Sequence, residues 1–213
     1  MAGVAALHIR SLRDGQQFHD PQGVAAALGI SSATWPLFGL LWPSSFQLAS
    51  RLAARPVSTG ERILEIGCGL ALASLVGHRR GADVTASDCH PLAARFLRVN
   101  SRLNALTCLP YRHGHWSARA DASAPAGEDR VEGLFHLLIG SDLLYERDEP
   151  AGLASFIDRH AAPGAEVWII DPNRSNRPSF HRQMAARGFG LREARIDQAP
   201  YRGRFLTYRR AGM

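Results

Sequence analysis

The chain has 213 residues and a formal net charge of +6, from 25 basic and 19 acidic residues. All 25 basic residues are arginine. Because the sequence contains no lysine, it lacks the motif lysine of P-loop NTPases, the strand lysine of protein kinases and the amine that Schiff-base enzymes need. The length predicts one domain with a proper hydrophobic core.

Short apolar runs alternate with helical patterns from residue 62 onwards. We predict strands at 62–66, 82–86, 108–112, 134–139, 165–170, 190–196 and 204–209. Between them we predict helices at 70–79, 91–103, 149–162 and 176–187. This alternation predicts an α/β fold with a parallel sheet and helices on both faces. The last two strands are too close for a helical crossover, so we expect an antiparallel pair.

The ends of the chain and its cysteines suggest where the protein works. Residues 1–43 precede the alternating pattern, and we expect them to cap the site, with 44–213 forming a single domain. There is no run of 18 apolar residues and no apolar core of signal-peptide length, so we expect a cytoplasmic protein that does not enter membranes. The three cysteines form no C-x-x-C pair, so we expect no disulfide framework and no metal.

The positive charge is concentrated near the C-terminus. Residues 174–213 contain ten arginines against Glu193 and Asp197, whereas the rest of the chain is slightly acidic. This region could bind an acidic protein or RNA, or it could be a solvated basic surface.

A glycine loop follows the first predicted strand in the run ILEIGCGLAL. Gly67 and Gly69 would let the backbone turn tightly and approach a ligand closely. Asp88 comes 19 residues after Gly69, at the end of the next strand, where a carboxylate can accept hydrogen bonds from a ribose. The spacing predicts a nucleoside-binding site.

The surroundings of this loop favour one nucleoside class over another. The dinucleotide pattern G-x-G-x-x-G would need glycine at Leu72. Glu65 would also place a negative charge near a pyrophosphate. It suits S-adenosylmethionine better, because that molecule carries a sulfonium and an ammonium group.

A second polar motif follows the buried strand at 134–139. In IGSDLLYERD, Asp142 offers a carboxylate and Tyr145 a phenol. Ligands of open α/β sheets bind at the carboxyl ends of the strands, so both groups should face a substrate beside the glycine loop.

Together, ATWPLFGLLWPSS, ILEIGCGLALAS, SDCHP, HWS and IGSDLLYERD resemble the seven-strand S-adenosylmethionine methyltransferases, specifically the D-x-x-Y branch. That branch contains many protein-lysine methyltransferases and bacterial nicotinamide N-methylase-like proteins. The resemblance covers residues 34–189. It implies a Rossmann-like, doubly wound seven-stranded sheet with strand order 3-2-1-4-5-7-6.

The resemblance also assigns roles by position. It implies that Trp42, Glu65, Gly67, Gly69, Asp88, Trp116 and Ser141 bind the cofactor, and that Asp142 and Tyr145 form the catalytic, substrate-side motif. Asn173 and Arg174, in a turn after the fifth strand, are candidate substrate contacts. The chain departs from the family pattern at Ala71, His115 and His136, where glycine, an acid and aspartate are usual.

Other methyltransferase chemistries fit the sequence less well. The Asn/Asp-Pro-Pro-aromatic motif of adenine N6 methylases and the strand-end cysteine of cytosine C5 methylases are both missing. A magnesium-dependent catechol-type O-methyltransferase could use Asp142, Asp171 and Asn173 as ligands, but that class also uses a lysine.

We therefore expect a monomeric bacterial-type methyltransferase that uses S-adenosylmethionine, releases S-adenosylhomocysteine and methylates a lysine on a protein substrate. The alternatives are an N-methyltransferase for a small-molecule amine such as nicotinamide, a cofactor-binding module without catalysis, and an RNA-binding or RNA-modifying protein.

Overall fold

The computed structural model describes residues 6–116, 129–145 and 151–210. Within these ranges seven strands form one sheet, in the order β3-β2-β1-β4-β5-β7-β6. The strands are β1 (Arg62–Ile66), β2 (Asp83–Asp88), β3 (Tyr111–His113), β4 (Phe135–Ser141), β5 (Ala161–Asp171), β6 (Phe189–Gln198) and β7 (Tyr201–Arg210). The first five strands are parallel, while β7 is antiparallel to both β5 and β6. The predicted strand order and the antiparallel C-terminal pair are confirmed.

Helices cover both faces of this sheet. They are α1 (Val24–Ala27), α2 (Pro43–Ala54), α3 (Leu72–Arg79), α4 (Ala93–Leu103), α5 (Gly152–His160) and α6 (Arg177–Ala185), with a 3-10 turn at Trp35–Gly39. Leu48 of α2 and Leu72 of α3 are buried against one face, and Phe156 of α5 and Met184 of α6 against the other. The central strands β4 and β5 are buried by both layers, which is why their sequences read as continuous apolar runs.

Several predicted boundaries are wrong, each for a local reason. The helix predicted from residue 70 begins at Leu72, because Ala71 has a left-handed backbone with φ 57°. The helix predicted from 91 begins at Ala93. The strand predicted at 108–112 lies at Tyr111–His113, since Pro110 has no N–H to donate to a neighbouring strand.

The N-terminal residues lie against α4 and near the carboxyl ends of the parallel strands. The side-chain amide of Asn100, in α4, accepts the backbone N–H of Arg10 and donates to its carbonyl. Asn104, just after α4, makes the same pair of hydrogen bonds with the backbone of His8. Leu12 then donates its backbone N–H to the carbonyl of Gly39 at 2.7 Å. These contacts bring residues 28–42 over the carboxyl ends of β1 and β2. The division into 1–43 and 44–213 stays a prediction.

Candidate active site

A cavity of about 1180 Å³ lies at the carboxyl ends of the parallel strands. It lies where β1 and β4 are neighbours and their following segments diverge, the usual ligand position in open α/β sheets. Its lining comes from residues 28–45, the glycine loop, the end of β2, the segment after β4 and the start of α6. Predicted site residues on this lining are Trp42, Gly67, Gly69, Asp88, Trp116, Ser141, Asp142, Tyr145 and Arg174.

The glycine loop leaves no room for side chains. Gly67 and Gly69 have φ values of 57° and 52°, in the left-handed region that favours glycine. A Cβ on Gly69 would lie 2.8 Å from the carbonyl oxygen of Phe38, and a Cβ on Gly67 would lie 2.6 Å from Leu143 and 3.3 Å from Trp116. The loop therefore presents bare backbone to the cavity, as a site for a closely held ligand requires.

Asp88 fixes this loop from the end of β2. One carboxylate oxygen accepts the backbone N–H of Gly69 at 2.8 Å, and the other accepts that of His90, also at 2.8 Å. The side chain is only 6% exposed, and burial raises the pKa of its carboxyl group. The carboxylate lines the cavity and retains lone pairs for a ribose hydroxyl.

Glu65 lies behind the loop rather than on the cavity wall. It is 2% exposed, and one carboxylate oxygen accepts both the backbone N–H of Ser74, at 2.8 Å, and the Ser74 hydroxyl. Burial raises the pKa of Glu65 to about 7. The structure thus places this acid one layer below the lining, and its direct contact with a cofactor stays a prediction.

Both predicted tryptophans line the cavity. The Trp42 indole donates to the carbonyl of Leu37 at 2.9 Å, which fixes its ring at the cavity edge. Trp116 packs edge-on against Phe156 of α5, with 6.3 Å between ring centroids. Ser141 is the last residue of β4 and lies beside them on the lining.

Sequence reasoning missed His90. Its ring stacks on Phe38 with centroids 3.7 Å apart and is 3% exposed, and burial lowers the pKa of its imidazole to about 3. The neutral ring accepts the backbone N–H of Leu92 at Nδ1, so Nε2 carries the proton; it has no hydrogen-bond partner among the described residues. His90 lines the cavity next to Asp88, and its place before Pro91 in SDCHP was the available signal.

Asp142 begins the segment after β4 in a strained conformation. Its φ is 55°, which is uncommon for a residue with a side chain, and its backbone N–H donates to the carbonyl of Ile170 at 2.8 Å. Its two carboxylate oxygens accept the Nε and Nη2 groups of Arg174 at 2.8 and 3.0 Å. Sequence reasoning treated Arg174 as a substrate contact and did not foresee this ion pair.

Tyr145 lies three residues further along, at the rim of the cavity. Its side chain is 43% exposed, so its phenol is open to solvent on one side. The other candidate contact, Asn173, is exposed, is not part of the cavity lining, and accepts from Arg177 at 3.1 Å.

The three candidate ligands of a catechol-type magnesium site all face arginine side chains. Arg174 holds Asp142, while Arg177 lies 3.6 Å from Asp171 and bonds Asn173. Across the described ranges there is no group of three histidine, cysteine, aspartate or glutamate side chains that could hold a metal ion. The guanidinium groups of Arg174 and Arg177 therefore lie where a catechol-type O-methyltransferase would need its magnesium ion.

Comparison with known proteins finds relatives that are similar in amino-acid sequence. No protein-family model matches the chain. It is 29% identical over 156 residues to the electron transfer flavoprotein beta subunit lysine methyltransferase of Danio rerio, covering 69% of this chain and 56% of that one. It is 29% identical over 147 residues to the protein N-lysine methyltransferase METTL21A of Danio rerio, covering 65% and 63%. The chain spans about half the length of the flavoprotein-directed relatives it matches.

Solved structures give the fold. Magnesium protoporphyrin IX methyltransferase of Synechocystis with bound S-adenosylmethionine superposes with a TM-score of 0.58 at 17% identity, over 78% of each chain. The chain has the class I methyltransferase fold. The fold that the sequence resemblance implied is therefore confirmed, and the cavity lies at the carboxyl ends of β1, β2 and β4, where open α/β sheets bind ligands.

Proposed function

We propose that the chain is an S-adenosylmethionine-dependent methyltransferase that methylates a lysine side chain of another protein. One observation carries the proposal: a single cavity is lined by the glycine loop with Asp88 on one side and by Asp142 and Tyr145 on the other. Two of the sequence relatives, the flavoprotein-directed enzyme and METTL21A, are named as lysine methyltransferases, which supports the choice of acceptor.

The cofactor half of the site fits S-adenosylmethionine. Bare backbone at Gly67 and Gly69, a buried carboxylate at Asp88 and aromatic rings at Trp42 and Trp116 suit a nucleoside joined to a cationic amino acid. When bound, S-adenosylmethionine supplies a methyl group on a positively charged sulfur, which a neutral amine can attack. These residues, with Ser141 and with Glu65 beneath the loop, would hold it.

The acceptor half must favour an uncharged amine. With an unperturbed lysine pKa near 10.4, deprotonation at pH 7 costs about 4.6 kcal/mol. Buried Leu143 and Leu144 beside Asp142 exclude water and so disfavour the ammonium form. In the proposal, Asp142 and Tyr145 orient the acceptor nitrogen and help release its proton, and alignment of donor with acceptor supplies most of the catalysis.

The rim of the cavity favours an acceptor carried on a larger molecule. Leu41 and Tyr145 both line the cavity and are exposed at its edge, where a protein surface could rest on them. A small amine such as nicotinamide remains the alternative acceptor, because the cavity volume of about 1180 Å³ exceeds the roughly 300–1,000 Å³ typical of a pocket for one small ligand.

The test of the proposal is methyl transfer to a mixture that contains both acceptor classes. Wild-type chain is incubated with tritiated S-adenosylmethionine and cell lysate, and label is measured in protein, RNA and small metabolites. We expect label in protein and its loss in Asp142→Ala with unchanged S-adenosylhomocysteine binding. Full transfer by that variant would contradict the role of Asp142, while label confined to metabolites would favour the small-amine alternative.

Finer expectations on partners and compartment belong to the same proposal. The described ranges contain no helix long and apolar enough to cross a membrane. No disulfide joins the three cysteines to one another, which supports a reducing, cytoplasmic compartment for this bacterial-type enzyme. We propose that it acts as a monomer, and that any acidic partner would meet exposed Arg192 and Arg209 on β6 and β7.

A further inference from the structure

The segment after β4 is joined at three points to β5 and the segment that follows β5. The backbone N–H of Asp142 donates to the carbonyl of Ile170, and the side chain of Asn176 donates to the carbonyl of Leu144 at 2.9 Å. The third link is the two-point ion pair between Asp142 and Arg174. Two strained backbones, at Asp142 and Asn173 with φ values of 55° and 67°, lie at either end of this junction.

Arg174 is itself held in place before it reaches Asp142. Its backbone N–H donates to the buried carboxylate of Asp171 at 3.0 Å, at the turn that follows β5. From there its planar guanidinium matches both oxygens of Asp142, a fork geometry that a lysine could not reproduce. Both residues also line the cavity. The pair therefore lines the acceptor side of the site, where the Asp142 side chain is 11% exposed and the Arg174 side chain is 40% exposed.

An unpaired carboxylate beside an acceptor amine would work against methyl transfer. An opposite charge within about 4–6 Å favours the charged form of a titratable group. A lone Asp142 would therefore favour the ammonium form, whose nitrogen has no lone pair to attack with. The guanidinium of Arg174 cancels this effect, while the carboxylate keeps lone pairs that can accept a hydrogen bond from a neutral amine.

We propose that Arg174 is a positioning residue that orients the Asp142 carboxylate and cancels its charge. As a result, the site binds the lysine amine of the substrate in its neutral form. This inference rests on the proposed function and deepens it. It explains why a motif residue meant to meet a basic substrate is already paired with a cation. It also replaces the sequence-based view of Arg174 as a direct substrate contact.

Other charged groups near Asp142 do not take over this role. Asp171 and Arg177, from the end of β5 and from α6, face each other at 3.6 Å. Tyr201 of β7 is buried, and burial together with Asp171 and Asp142 raises the pKa of its phenol well above the usual range, so it stays neutral. The positive charge of Arg51 of α2 acts in the opposite direction on the pKa of Tyr201. Tyr145 lies at the solvent-exposed rim of the cavity. Arg174 is the cation whose nitrogen atoms reach the Asp142 oxygens within the described ranges.

The experiment measures the pH dependence of tritium transfer from S-adenosylmethionine into lysate protein, from pH 6.5 to 9.5. For Arg174→Gln we expect the acidic limb of the profile to move up by about one pH unit, so that the rate at pH 7 falls about tenfold and largely recovers at pH 9.5. Arg174→Lys keeps the charge and should move the limb much less. Asp142→Asn leaves a lone cation and should move the limb in the opposite direction, and the double variant Asp142→Asn/Arg174→Gln should return it towards wild type.

Arg182→Gln is the matched control, because Arg182 lies in the last turn of α6 and lines the same cavity but, within the described ranges, forms no ion pair with Asp142. Its profile should keep the wild-type midpoint. S-adenosylhomocysteine affinity and thermal melting of each variant report folding and the cofactor site separately.

The outcomes separate the two claims. An equal loss of rate at every pH in Arg174→Gln, or an unmoved limb in Asp142→Asn, would overturn the inference while leaving the methyltransferase proposal standing. If Arg174→Gln does not fold, the Asp142→Asn and Arg174→Lys profiles decide. No label in any protein with wild-type chain would contradict the proposed function, and the inference would fall with it.

Discussion

At the scale of single residues, Asp88 links the glycine loop to the end of β2. Its carboxylate accepts backbone N–H groups from Gly69 and His90, so it shapes the loop as well as offering lone pairs to a ribose. We expect Asp88→Ala to weaken S-adenosylhomocysteine binding by tenfold or more, as measured by titration calorimetry, because a buried charge-assisted hydrogen bond is worth about 1.5–3 kcal/mol. Asp83→Ala, at the exposed start of the same strand, is the control. Equal affinities in the two variants would argue against a ligand role for Asp88.

Glu65 makes a pH-dependent contribution to stability. Burial raises its pKa to about 7 in the folded protein, from an ordinary value of 4.5 for a free side chain. Its contribution is therefore fully present below about pH 4.5 and is lost as the pH rises through 7, by up to about 3 kcal/mol. Gln at this position keeps an oxygen for Ser74 and does not ionise. We expect the free energy of unfolding of Glu65→Gln, relative to wild type, to rise between pH 5 and pH 8.

Denaturant titrations at four pH values measure this difference. Using the difference removes the effects of His90 and His113, whose pKa values burial lowers to about 3 and about 4 and which act equally in both proteins. A difference between variant and wild type that does not change with pH would show that Glu65 is ionised in the folded protein throughout the range.

At the scale of elements, the glycine loop is tied to the 3-10 turn at Trp35–Gly39. A Cβ on Gly69 would press on the Phe38 carbonyl as well as straining the left-handed backbone. Gly81 has φ 85° but nothing within 4 Å of its Cβ position, so Gly81→Ala carries the backbone strain alone, about 1–2 kcal/mol. We expect Gly69→Ala to be destabilised by about 1–3 kcal/mol more than that, from overpacking, and to lose S-adenosylhomocysteine binding, which Gly81→Ala should keep.

Thermal melting with and without S-adenosylhomocysteine checks this prediction for both variants. If Gly69→Ala were as stable as Gly81→Ala and showed the same ligand-induced shift, the loop would not depend on its contact with the N-terminal segment.

The elements that the sequence predicted well are those whose signal is local. β1 lies at the predicted residues 62–66, because a buried apolar run ends there in a glycine turn. β5 begins at Ala161, four residues before the predicted strand, because Ala161 pairs with Phe135 of β4 although its own neighbours include Pro163 and Gly164. Pairing of this kind depends on a distant partner, which a local pattern does not report.

The same distinction applies to the candidate site. Nine of its predicted residues line one cavity, because strand ends in a parallel sheet meet at one edge. The pairing of Asp142 with Arg174 joins residues 32 positions apart and needs left-handed backbones at Asp142 and Asn173. Asp and Asn adopt this conformation more readily than other non-glycine residues, but a single Asp or Asn is too weak a signal to predict it.

At the scale of the whole molecule, much of the C-terminal positive charge is offset within the fold. Ten arginines lie in residues 174–213, and six of them form ion pairs with carboxylates among the described residues: Arg174, Arg177, Arg195, Arg202, Arg204 and Arg210. Three of the partners, Asp142, Asp158 and Asp171, lie outside this segment in the sequence. The count of charges in the sequence therefore overstates the basic surface.

Binding to RNA tests this view of the surface. For a fluorescent 20-nucleotide single-stranded RNA in 150 mM NaCl we expect a dissociation constant no tighter than about 10 µM by anisotropy, within the range of non-specific electrostatic binding. Submicromolar binding that weakens steeply with salt would instead support the RNA-binding alternative.

The most direct test of the account as a whole is the chemical identity of the transferred label. Tritiated S-adenosylmethionine, wild-type chain and cell lysate are incubated together, and the protein fraction is hydrolysed and separated by amino-acid analysis. The account predicts tritium in methyl-lysine. Because the chain itself contains no lysine, this product must come from another protein. Tritium in no protein lysine, from a chain that binds S-adenosylhomocysteine, would contradict it.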